Sequence, residues 1–154
     1  MTPRRPPPRT LSAALGADGS AARLLAAALV ALVVMIAASL MVQIVGATLA
    51  REVATPIGAL SLADVLTAFV AMAAGGLLAR SARFRIVAVV LQAVVWISIV
   101  AALYLAPGGS VASPLPLGEV LRHNALAFVA SLLAAGLGAW AGERLARRRA
   151  AAGR

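Results

Sequence analysis

Two ionisable side chains, Asp64 and His123, stand within long apolar stretches of this chain, which is 62% hydrophobic and only 12% charged. A charge near the centre of a bilayer costs about 2.5–3.5 kcal/mol on insertion scales, so an ionisable group in such a stretch is a functional candidate by default. Each falls within the first turn or so of its stretch and shares a helical face with small residues. Asp64 lies with Ala68, Ala71 and Gly75, and His123 with Ala127, Ala130 and Ala134. A carboxylate beside an imidazole relays protons or holds a cation, and the pair forms the candidate polar site. Both residues also have structural uses. Ser61-Leu62-Ala63-Asp64 has the spacing of a capping box, in which an acid also suits the helix N-terminus. A histidine near a membrane surface can simply be solvated.

The rest of the inventory excludes more chemistry than it suggests. With no cysteine and one histidine, a single chain offers no thiolate nucleophile, no disulfide, and neither a zinc cluster nor a two-histidine haem site. It contains no Walker loop, no H-E-x-x-H, no G-x-S-x-G and no paired carboxylates, so the expectation is a non-enzymatic protein without metal or cofactor. The net charge of +9 and a pI near 12 would suggest nucleic acid in a soluble chain. Here the basic residues bound apolar runs instead, and no nucleic-acid partner is expected.

The elements that must position Asp64 and His123 follow from hydropathy. Four apolar segments, at about 24–50, 60–79, 86–106 and 120–142, are long enough as helices to cross the roughly 30 Å hydrocarbon core. The first is too long for the apolar region of a cleaved signal peptide and is read as retained. Between the spans lie a connection with Pro56 and Gly58, an arginine loop from Arg80 to Arg85, and the breaker segment Pro107 to Gly118. The predicted organisation is a disordered basic, proline-rich tail over residues 1–22, a four-helix transmembrane domain over 23–143, and a second basic tail over 144–154.

Arginine placement predicts orientation. The first tail with Arg23, the 80–85 loop and the last tail carry twelve arginines, against only Arg51 and Arg122 in the other two connections. The positive-inside rule then puts both termini in the cytoplasm, as an all-α, up-down-up-down bundle. All the basic residues are arginine, and with abundant alanine and glycine this points to a bacterial, GC-rich source and hence to the inner membrane. Arg80, Arg83, Arg85, Arg147, Arg148 and Arg149 are the expected contacts to anionic lipid head groups.

Small residues recur at helical spacing in two spans: Ala63, Thr67, Ala71, Gly75 and Ala79 in the second, and Ala130, Ala134, Gly138 and Gly142 in the fourth. In lipid, close backbone approach depends on such residues. The stripes are either seams within the bundle or faces for a second copy or a membrane-protein partner. From them comes the first functional expectation, an accessory, assembly or scaffold subunit acting through helix association. The alternative is a small oligomeric transporter or channel with Asp64 and His123 near its outer mouth. The tetrapeptide AFVA occurs at 68–71 and 127–130 and superposes Asp64 on His123, a weak sign of two repeated hairpins.

Overall fold

The computed structural model describes residues 11–45, 52–55, 58–105 and 117–153. Its elements in order are α1 (Leu11–Val45), β1 (Glu52–Thr55), β2 (Gly58–Ser61), α2 (Leu62–Ala79), α3 (Arg83–Leu105) and α4 (Leu117–Ala152). All four helices are long and apolar enough to cross a membrane. The described residues are therefore those of a multi-pass, helical membrane protein.

Three features depart from the sequence-based expectation. Residues 11–22 are helical and belong to α1, so any tail at this end is confined to residues 1–10, which lie outside the described residues. Likewise α4 runs on to Ala152 through the expected basic tail. Alanine, leucine and arginine are strong helix formers, and they carry a helix past the point where its hydropathy ends. The connection after α1 is also not wholly irregular: β1 and β2 pair antiparallel, from Glu52 with Ser61 to Thr55 with Gly58, and β2 packs against α4. Of the expected breaker segment, residues 107–116 lie outside the described residues, and its last two, Leu117 and Gly118, already belong to α4.

Local signals set the helix ends. Ser61, with extended backbone, caps α2 by accepting a hydrogen bond from the Asp64 N–H at 3.3 Å, which is the side-chain-to-backbone half of the predicted capping box. Arg80 ends α2 in the left-handed conformation (φ 52°), its N–H donating to Gly76 O at 3.1 Å. A residue with a β-carbon pays about 1–2 kcal/mol there, which is why glycine is the usual choice. Ser81 then starts α3 by accepting from the Arg83 N–H.

Packing inverts the usual distribution of size. The buried positions are mostly alanine, among them Ala27, Ala31, Ala68, Ala71, Ala135 and Ala139, whereas Leu25, Val33, Ile86, Ile97 and Leu133 lie more than half exposed. Lipid tails are as apolar as leucine, so large side chains lose nothing by facing outward, and small ones let backbones approach. The dominant seam joins α2 to α4. A β-carbon built on Gly138 or Gly142 would overlap the carbonyl oxygen of Phe69 or Ala73 respectively, and one on Gly76 would overlap that of Ala139. Gly138 and Gly142 of the predicted fourth-helix stripe thus face α2 of the same chain. Gly75 of the predicted α2 stripe accommodates the Phe84 ring and the Ala27 carbonyl, and it is its neighbour Gly76, outside that stripe, that meets α4.

These contacts separate the glycines of α4 into two kinds. Replacement of Gly142 by alanine forces backbone against backbone and should destabilise the detergent-solubilised protein by about 1–3 kcal/mol. At Gly136 the added methyl meets only Val89 Cγ2 at 3.5 Å, so Gly136→Ala should be neutral or stabilising by up to about 1 kcal/mol through helix propensity. Equal thermal melting of the two variants would contradict the seam.

Candidate functional site

The core is dry at one end of the bundle. Ala27, Ala31, Met72, Ala79, Phe84, Ala88, Ala135 and Ala139 form one cluster from the middle of α1, the second half of α2, the first half of α3 and the second half of α4. At the other end the four helices surround a crevice of about 450 Å³ instead. Its polar lining comes from every helix: Ser39 of α1, Asp64 and Thr67 of α2, Gln92 of α3, and Asn124 and Ser131 of α4. Met35, Val95, Trp96 and Ile99 supply apolar wall. That volume and mixture of an apolar wall with a few convergent polar groups are those of small-ligand sites.

Several of these groups are fixed by hydrogen bonds. The Trp96 indole N–H donates to Ser131 Oγ at 2.7 Å, and the Ser131 hydroxyl donates to Phe128 O at 2.9 Å. Phe128 in turn meets the Trp96 ring edge-to-face, with centroids 6.0 Å apart. Trp96 is thus locked against α4 while part of its surface lines the crevice. Asn124 donates from Nδ2 to Val120 O at 2.9 Å, an attachment that leaves its carbonyl oxygen unused by that bond.

Asp64 is exposed, and in the α2 cap it is the backbone N–H of Asp64 that is engaged, with Ser61 Oγ. Gln92 differs: it is only 5% exposed, and its Oε1 has no hydrogen-bond partner among the described residues. An acceptor buried without a donor costs about 1–3 kcal/mol, so the orphaned oxygen of a residue that lines the crevice marks a place where a donor is wanted.

The predicted pair does not form. Among the described residues no hydrogen bond or ion pair joins Asp64 to His123, and His123 is exposed outside the crevice lining, which takes the next residue, Asn124. The AFVA superposition therefore does not carry over to the crevice, whose α4 lining includes Asn124 and not His123. Gln92, Ser39 and Ser131 stand in the sequence as isolated neutral polar groups, and nothing in their spacing announces that they meet.

A second polar constellation lies at the dry end. Glu143, 1% exposed, accepts from Arg85 Nε and Nη2 on Oε2 at 2.9 and 2.7 Å. Arg147 forms an ion pair with Oε1, close in distance but without the alignment of a hydrogen bond. In the sequence Glu143 reads only as the start of a charged run that stops the fourth span. Two of the six arginines assigned to lipid head groups, Arg85 and Arg147, thus have a partner inside the chain. Arg144 lies over the Trp140 ring, 5.0 Å from its centroid. Among the described residues no cluster of histidine and acidic side chains could hold a metal ion.

No family model, curated protein or solved structure matches this chain. The geometry of its own residues is thus the ground for a functional reading.

The orphaned Gln92 oxygen separates a functional role from a structural one. Leucine fills nearly the same volume without a polar atom, so Gln92→Leu should raise stability in the absence of ligand by about 1–2 kcal/mol. A lowered melting temperature in that variant would show that the amide holds the bundle together.

Proposed function

We propose that this chain is a small, non-enzymatic membrane protein that binds a small organic cation in the crevice among its four helices and moves it into or across the bilayer. It does so from the bacterial inner membrane, as an up-down-up-down bundle with both termini in the cytoplasm and the crevice toward the outer side. The observation that carries the reading is the convergence of Asp64 and the unpartnered Gln92 Oε1 on one crevice. A carboxylate supplies the countercharge, a buried acceptor calls for an N–H donor, and a tryptophan fixed by its own hydrogen bond lines the same space. Ser39 and Thr67 add hydroxyls that accept or donate as needed. Together these favour an ammonium or guanidinium ligand over an anion or a purely apolar molecule.

The polar groups also meet the main requirement for transport, because they continue inward from Asp64 to Gln92 instead of stopping at the mouth. The rival expectation, an accessory or scaffold subunit, rested on the small-residue stripes. Gly138 and Gly142 face α2 within the same chain, which removes the motive for assigning that stripe to another protein. A second copy or a membrane partner would have to use the large apolar side chains that face lipid.

Binding of propylammonium, guanidinium and tetramethylammonium to the purified protein tests the reading. The first two should bind and the third, without N–H donors, should bind markedly less. Asp64→Asn should weaken propylammonium binding about tenfold or more, the equivalent of roughly 1.4 kcal/mol or above, and Gln92→Leu should weaken it while leaving the protein folded. Unchanged affinity in both variants would refute the site, and uptake into liposomes would separate a transporter from a receptor.

A further inference from the structure

At the dry end of the bundle, α2 and α4 enclose a second concavity, of about 300 Å³, lined by Leu77, Arg80, Ala146, Arg149 and Ala150. Two arginines, Arg80 at the end of α2 and Arg149 of α4, line this space together. Among the described residues neither has a carboxylate within ion-pair distance, since Glu143 is taken by Arg85 and Arg147. Arg80 is placed there by a left-handed backbone that glycine would adopt more readily. The chain therefore holds two like charges at one notch, in a backbone conformation unfavourable to one of them. The floor between them, Leu77, Ala146 and Ala150, is apolar. The notch lies where α2 ends and beside the charged last turns of α4, at the limit of the membrane-crossing stretch.

We infer that this notch is a binding site for an anionic phospholipid, its phosphate gripped by Arg80 and Arg149 and its glycerol and upper acyl region resting on Leu77, Ala146 and Ala150. Guanidinium presents a planar fork of donors that matches phosphate oxygens, and pairs with them more strongly than neutral donors do. A free phosphate would use the same two arginines, but it gains nothing from an apolar floor. The inference narrows a general attraction of basic residues for anionic membranes to two side chains and one location. It is independent of the cation crevice at the opposite end.

The left-handed geometry provides a clean variant. Arg80→Gly deletes the guanidinium and also relieves the backbone, so it should melt at the same temperature as the native protein or higher. Arg149→Gln removes the second charge from an exposed helical position, and Arg148→Gln, which does not line the notch, is the control. Native mass spectrometry of the full chain, with phosphatidylglycerol or phosphatidylcholine added to the detergent, reads lipid retention. Retention of phosphatidylglycerol should fall about fivefold in each of Arg80→Gly and Arg149→Gln, approach the phosphatidylcholine level in the double variant, and hold in Arg148→Gln. Native-like retention in the double variant, or an equal loss in the control, would overturn the site. Complete displacement by millimolar inorganic phosphate would reassign it to a free anion.

Discussion

The contact on which the rest of the structure depends is the backbone-to-backbone approach of α2 and α4. In lipid there is no solvent to expel from between helices, so association relies on dispersion and close fit. Gly138 and Gly142 provide that fit by leaving no β-carbon between α4 and the carbonyls of Phe69 and Ala73, and Gly76 does the same for Ala139. The contacts advance together along the two helices, from 69 with 138 to 73 with 142, which fixes their relative register. Gly75, on the adjoining face of α2, then admits the Phe84 ring and the α1 backbone at Ala27. α2 thus packs against both α4 and α1, and α3 is set mainly on α4.

Small residues close one end of the bundle, and polar residues leave the other open. The closed end also holds the buried carboxylate, Glu143, with a guanidinium beside each of its oxygens. A buried charge tolerates such a position only when paired, and removal of one partner typically costs several kcal/mol. The arginines gathered on Glu143, Arg85 of α3 and Arg147 of α4 itself, therefore tie α3 to α4 beside the glycine seam. At the open end no comparable pairing exists among the described residues. Trp96, Ser131 and Phe128 hold α3 to α4, whereas α1 and α3 touch only sparingly, and the space left over is the crevice. The ligand reading rests on that contrast between an end whose buried charge is paired and one where Gln92, a residue of the crevice lining, keeps a buried acceptor unpaired.

The four spans were legible in the sequence because uncharged runs of about 20 residues have few other uses. The helix ends were not, because hydropathy marks the bilayer and not the helix: α1 begins at Leu11 and α4 continues to Ala152, both beyond the apolar segments read at about 24–50 and 120–142. The hairpin escaped because four-residue strands carry too little alternation to register. Asp64 was legible as a candidate from its charge alone, as was its cap from the Ser61 spacing. His123, named beside it, lies outside the crevice lining: one step along a helix turns a side chain by about 100°, and it is Asn124 that lines the crevice. Gln92 and Glu143 were hidden for opposite reasons: one is a neutral group whose burial only tertiary structure reveals, and the other sits in a run of charges that reads as solvated.

The central claim is that the end of the bundle around Asp64 contains an accessible crevice, apolar-walled with a few convergent polar groups, inside a membrane-embedded fold. The absence of cysteine from the sequence allows a direct measurement, the reaction of single introduced cysteines with a membrane-impermeant, water-soluble thiol reagent in intact membranes. Thr67→Cys, on the crevice wall, should react, and its reaction should slow when propylammonium is present. Val70→Cys, less than one turn away on an exposed apolar position, should stay inert. Inertness at both positions, or equal reactivity at both, would contradict the crevice.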